Sequence, residues 1–291
     1  MTDDGQSSKN KRTLGWVLFA LVLLAGFGVT AAIVSPEGTG SATRGAGGVD
    51  TPERDRAIGP VSDEPVDIDL SGTWAHKSVQ TSLSDVPMGG EVEAKTITHR
   101  VTEIEQDGRT IDVRADVCNS KIESSFEKIQ TKIPAAFVDA IPIDERSGRL
   151  EPAGEQEKLV VERSCGVRGA EVDDPATSAL PTSPDDESVR DEDGDGHPGV
   201  TVEVEGMVSG EVYIVQRGCD SYRGRVLSRD HIRGTVDWST DQEMLDSTSM
   251  FLRGKPPSRQ HPDDEKSWFE MVRIDEGTSC AELMRDPSKY F

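Results

Sequence analysis

Asp191, Asp193 and Asp195, at alternate positions in Asp191-Glu-Asp-Gly-Asp-Gly-His-Pro-Gly199, are the sharpest chemical signal in this chain of 291 residues. Gly194 and Gly196 supply the backbone freedom that lets one tight turn aim three carboxylates at a common point. Converging hard oxygen donors suit calcium, whereas a catalytic metal would want His or Cys ligands and an open position. The backbone carbonyl of His197 is the next candidate donor, and water or Asp185 and Asp186 can complete the shell. The expected role is structural, pinning a long acidic excursion, residues 171–199, to the strand that follows. The competing reading is a solvated acidic turn that binds no ion.

The loop resembles the Asp-rich calcium loops of EF-hand-like and thrombospondin-type repeats. It departs from them at the twelfth position, where Val202 replaces a bidentate Glu, and in the strand pattern Val200–Val204 where a helix would exit. A site without that Glu is expected to be weak, roughly millimolar to a tenth of that. Cys118, Cys165, Cys219 and Cys280 are too widely spaced for a Cys-x-x-Cys metal site. An even number of cysteines in an exported chain favours two disulfides over free thiols. Three connectivities are open, of which Cys118–Cys280 with Cys165–Cys219 is preferred.

Catalytic signatures are scarce. The chain has no Gly-x-Ser-x-Gly, phosphate loop or His-Glu-x-x-His. Ser125-Phe-Glu-Lys128 has a Ser-x-x-Lys spacing, but it falls in a strand pattern where the two side chains would not meet. The five histidines are scattered, so a polar cluster around His76 or His99 would be visible only in the fold. No catalytic residue is assigned, and the expectation is a protein that is not an enzyme.

The elements that must carry these groups read as short β-strands. Ser71–Val79, Glu93–Glu105, Thr110–Cys118, Val200–Val204, Val212–Arg217, Tyr222–Leu227, Ile232–Trp238 and Trp268–Ile274 are rich in β-branched residues and separated by turn signals. In Thr110–Cys118 the residues Ile111, Val113, Ala115 and Val117 share one face. This pattern predicts an all-β, antiparallel barrel or compact sandwich over residues 69–291. Ala135–Ala140 and a segment opened by the capping-box spacing Ser279-Cys-Ala-Glu282 are the expected short helices.

Residues 14–34 are uncharged and predominantly apolar, and at 1.5 Å per residue they span about 31 Å, close to a bilayer core of roughly 30 Å. Lys9, Lys11 and Arg12 precede them, so residues 1–13 are expected to be cytoplasmic and the rest exported. The alternative is a signal peptide cleaved near Ala31. Residues 35–68 hold few large apolar side chains and are expected to form a flexible linker reaching about 30 Å. The net charge of −22 places +1 on residues 1–35 and −23 beyond them. Such acidity argues against nucleic acid as a partner and against adsorption of the exported part to anionic lipid.

Ser71-Gly72-Thr73-Trp74 resembles the Gly-x-Trp opening of lipocalin-type barrels. That resemblance implies that Trp74 closes one barrel end and meets an Arg near the last strand, for which Arg273 is the candidate beside Gly72. Ile133–Phe137, the 193–202 loop and Val212–Arg217 are together similar to uncharacterised envelope proteins and lipoproteins of myxobacteria and relatives, over about residues 69–275. The similarity implies a bacterial envelope location and no known activity; the lipid-accepting Cys of the lipoproteins is absent. The leading expectation is a non-catalytic, membrane-anchored envelope module, a single-pass protein of the cytoplasmic membrane with a periplasmic domain and a structural calcium loop. The alternative is a lipocalin-like carrier of a small apolar ligand, and the two separate on whether the barrel centre is filled or hollow.

Overall fold

A computed structural model describes residues 67–86, 90–154, 156–254 and 258–291. The expected membrane segment 14–34, the tail before it and the linker up to residue 66 lie outside the described residues. Among the described residues no helix is long and apolar enough to cross a membrane.

The described chain is all-β and antiparallel. Its long strands are β1 (Gly72–Val86), β2 (Gly90–Asp107), β3 (Thr110–Ser124), β5 (Asp144–Ala153), β6 (Gln156–Arg168), β8 (Gly210–Ser228), β9 (His231–Ser247) and β11 (Trp268–Arg273). Each pairs with the next in that order, and β11 pairs back onto β1, so these strands form a ring in chain order. Three shorter strands lie off it. β4 (Ile129–Lys132) pairs with β7 (Val200–Gly206), β7 extends the edge of β8 next to β6, and β10 (Ser258–Gln260) pairs with the far end of β1. The ring is closed only in part, because β3 pairs with β5 only over Thr110–Ala115. Beyond Ala115, β3 stays paired to β2 and is open only on its β5 side, and α1 (Ala135–Ala140) packs against β3 and β7 there.

Alternation places the core. On β3, Ile111, Val113 and Ala115 are buried while Asp112, Arg114 and Asp116 face water. One core fills the end of the ring where β1 begins, with Trp74, Ile104, Leu150, Leu159, Tyr222, Ile232 and Phe269. Ile68, assigned above to the linker, packs against it. Phe269 has room because β8 and β9 meet there at paired glycines. A Cβ on Gly224 would lie 2.5 Å from the Phe269 ring, and one on Gly234 would lie 2.0 Å from the Arg223 carbonyl. A second core joins Val92, Phe137, Val202, Ile214 and Leu252 at the opposite end.

One sequence expectation needs correction. Val212–Arg217 and Tyr222–Leu227 are parts of the single strand β8, because the Gly218-Cys219-Asp220 segment between them is itself paired to β6 and β9. The excursion 171–199 packs against the sheet. Leu180 is buried with Val167, Val215 and Leu245, and the Arg217 side chain donates hydrogen bonds to the carbonyls of Pro175 and Ser178.

The disulfides are Cys118–Cys280 and Cys165–Cys219, the preferred pairing. Cys165 and Cys219 are register partners on β6 and β8. Cys118 is the extra residue at the β2–β3 register shift, and it anchors the helix α2 (Cys280–Arg285), which carries the expected capping box at Ser279 and Glu282. On a chain-entropy account, a loop of 54 residues closed by Cys165–Cys219 contributes about 4 kcal/mol.

Candidate functional site

Between the two cores the ring is hollow. A cavity of about 420 Å³ opens there, within the size range of small-molecule pockets. Its upper wall is apolar and comes from β3, α1 and the segments beside α1: Val117, Ile122, Ile133, Phe137, Ile141 and Ile143. Its floor is polar and charged, with Gln80, Thr98, Arg100, Asp144, Arg146, Gln216 and Asp220.

The floor exists because inward-facing positions at this level carry polar side chains. Asp144 and Arg146 face inward on β5, opposite Ala115 and Val113 of β3. Asp220 sits opposite Ser164 on β6 and Trp238 on β9. One-residue register shifts on β2–β3 at His99/Arg100 and on β6–β8 at Val161/Ser164 border the same level. Such bulges re-aim side chains at barrel rims and sites.

Arg146 is the hub of the floor. It donates to the Asp220 carboxylate at 2.7 Å and to its backbone oxygen at 3.1 Å, and it is bonded to Asp144. The Tyr222 hydroxyl donates to the other Asp220 oxygen at 2.8 Å. Burial, the largest single influence, would raise the Asp220 carboxyl, but the Arg146 and Arg100 guanidiniums and the hydrogen bonds from Arg146 and Tyr222 together hold it below the usual carboxylate range. Burial also pushes the Tyr222 phenol up, so it stays a donor.

Arg100 is different. Its guanidinium is half-buried and bonded to Ser78 Oγ at 2.7 Å, with no ion pair among the described residues. His76 lies next to it in register, packed edge-on against Tyr222 and Phe269 with ring centroids 5.2 and 5.7 Å away. The His76 Nε2 atom is buried without a partner and borders a void of about 20 Å³ shared with Arg100, Asp144 and Arg146. Burial, then the Arg100 and Arg146 charges, pushes its imidazole well below the ordinary value, so it is neutral.

His99 belongs elsewhere, on the outer face of β2. It lies beside Phe291, with its pKa lowered to about 4 by burial and by Lys77. Below pH about 6.5 an unfolded chain protonates both histidines while the folded one resists, so the unfolded state binds more protons and stability falls as pH falls. Urea midpoints are therefore expected to drop between pH 6.5 and 4. A His76→Gln, His99→Gln double variant should flatten that drop; an unchanged profile would refute the assignment.

The acidic loop brings Asp191, Asp193 and Asp195 together, with one carboxylate oxygen of each within 4.8 Å of the others. Gly194, Gly196 and Gly199 take φ of 72°, 87° and 89°, which favours glycine. Asp191 accepts from the backbone N–H groups of Asp195 and Gly196, and Asp193 and Asp195 accept from Thr201, the second residue of β7. Asp193 Oδ1 is buried without a partner, and burial plus the neighbouring carboxylates raises its pKa. Asp185 and Asp186 are not in the cluster; the Asp186 carboxylate instead accepts from the Ser188 N–H and hydroxyl. The His197 ring is stacked on Tyr213 at 4.2 Å, and the His197 backbone N–H donates to Asp195.

At the filled end, Trp74 is fully buried and its indole N–H donates to the Leu70 carbonyl at 3.0 Å. The Arg273 guanidinium lies 4.5 Å from the Trp74 ring centroid and donates to the carbonyls of Ser71, Asp69 and Arg229. Gly72, with φ of 134°, passes under this guanidinium, where a Cβ would lie 2.6 Å from Nη1.

No protein-family model, curated protein or solved structure matches this chain. The functional reading therefore rests on the site itself.

Proposed function

We propose that the exported domain is a non-catalytic carrier or receptor that takes a small amphipathic ligand into the barrel. The observation that carries this reading is the cavity, apolar above and polar below, between two filled ends. The ring of strands in chain order and the Trp74–Arg273 stack support a lipocalin-like relationship. The groups on the floor are bonded to one another in a way that suits recognition. Asp220 holds Arg146 and accepts from Tyr222, and its carboxyl sits below the usual carboxylate range, away from that of a general acid. The domain would work at the cytoplasmic membrane on the linker 35–68, anchored by residues 14–34.

A photoreactive aliphatic probe tests the cavity directly on the intact chain in membranes. Labelling is expected on Ile122, Phe137 or Ile143, and Ser164→Phe, which fills the space, should remove it. Labels scattered over the outer surface and unchanged in Ser164→Phe would overturn the carrier reading.

A second reading concerns the loop. The unpartnered Asp193 Oδ1 among three converging carboxylates favours a structural calcium ion held by Asp191, Asp193 and Asp195. Calcium at a few millimolar is expected to raise the thermal midpoint of the wild type and not of an Asp193→Ala, Asp195→Ala variant. Equal midpoints with calcium and with chelator would leave the loop a solvated turn.

A further inference from the structure

The chemistry of the ligand's polar end can be read from which floor groups are already engaged. Arg146 is saturated by Asp144, Asp220 and two backbone carbonyls. Arg168, at the side of the cavity, is paired to Glu192 at 2.7 Å. Both oxygens of Asp220 are taken, one by Arg146 and one by Tyr222. Arg100 alone among these guanidiniums faces the cavity with a single hydrogen bond, to Ser78.

A guanidinium has five donors in a fixed fork that matches a carboxylate in two parallel bonds. Leaving donors unmet in a half-buried site is costly, so the cavity presents a demand for an acceptor and not for a donor. Three guanidiniums and three carboxylates, Arg100, Arg146 and Arg168 with Asp144, Glu145 and Asp220, line the cavity, so no net anionic charge repels one incoming negative charge. A doubly charged phosphate would meet one guanidinium with donors to spare, Arg100, among three carboxylates, a poorer match. Above Arg100 the wall is mainly branched aliphatic side chains and Phe137, which take a hydrocarbon tail, with the hydroxyls of Thr96 and Ser120 among them.

We infer that the ligand is a monocarboxylate with an aliphatic tail, its head on the Arg100 guanidinium and its tail under α1. The inference rests on the carrier reading and adds the ligand class to it. Arg100 binds and selects the head; no reaction step is assigned to it.

Octanoate and octanamide separate the two ideas, because they share a tail and differ in head charge. Each competes with the photoreactive aliphatic probe on the intact chain. Octanoate is expected to displace the probe at a concentration roughly tenfold or more below octanamide. Arg100→Gln should make the two equal, while Arg100→Lys should keep a reduced preference; octanamide competition in both variants also reports that the barrel is folded. Equal displacement by the two in the wild type would overturn the carboxylate head and leave the carrier reading standing. A preference that survives in Arg100→Gln would overturn the assignment to Arg100. Competition by neither compound, or no cavity labelling at all, would sink the carrier reading and this inference with it.

Discussion

Asp220→Ala is expected to destabilise the folded domain by about 3–5 kcal/mol, because it strands the Arg146 guanidinium in a half-dry barrel. Asp220 and Arg146 are both nearly buried, with side chains 8% and 10% exposed, and they meet at 2.7 Å. The loss also frees the Tyr222 hydroxyl, whose acceptor is Asp220. Asp144 stays on Arg146 and limits the damage. Asp220→Asn, which keeps an acceptor of the same shape, should cost less. Removing both partners in Asp220→Ala, Arg146→Met should recover much of the loss, since an absent ion pair is cheaper than a broken one. Urea unfolding of the wild type, these three variants and the single Arg146→Met checks this. A double variant as unstable as the sum of the singles would show that the two side chains act independently.

Trp74→Ala is the second large effect, about 3–5 kcal/mol, the range for removing a fully buried aromatic side chain. The indole fills the closed end of the ring among Ile104, Ile232 and Met271, and its N–H satisfies the Leu70 carbonyl. Its loss also removes the platform under Arg273, which holds the chain entering β1 through the Ser71 and Asp69 carbonyls. Arg273→Ala in the Trp74→Ala background should therefore cost less than in the wild type, because the stack is already gone. Thermal or urea midpoints measure that coupling. Additive losses would show that the guanidinium acts through its backbone bonds and its Asp230 ion pair and not through the stack. Neither Trp74 nor Arg273 lines the cavity, so ligand labelling in a folded Trp74→Phe variant should be unchanged.

The legibility of the strands followed the chemistry of their inner faces. Thr110–Cys118 and Val200–Val204 were readable because their inward positions are apolar and their outward positions polar, and the period of two is visible. β5 and much of β6 escaped for the opposite reason. Asp144, Arg146 and Gly148 face inward on β5, and Ser164, Gly166 and Arg168 lie on the cavity side of β6, so no hydrophobic alternation marks them. The strands that carry the charged floor were thus the hardest to see, and the floor itself was missed. Its one sequence trace was the lone His76, whose neighbours Arg100, Arg146 and Tyr222 are 24, 70 and 146 positions away in the chain.

Local features were determined by the sequence alone. The short helix between Pro134 and Pro142, the capping box at Ser279 and the convergence of Asp191, Asp193 and Asp195 depend on residues a few positions apart, and they formed as their spacing dictates. An even cysteine count, read with the expectation of export, pointed to two disulfides, but which sulfurs meet depends on β6 lying beside β8 and on α2 returning to β3. Only the tertiary structure decided that the barrel is filled at both ends and hollow between them. Ring closure is set by backbone pairing between strands far apart in the chain, and whether inward side chains meet or leave space depends on bulges and on polar groups from four strands arriving at one level.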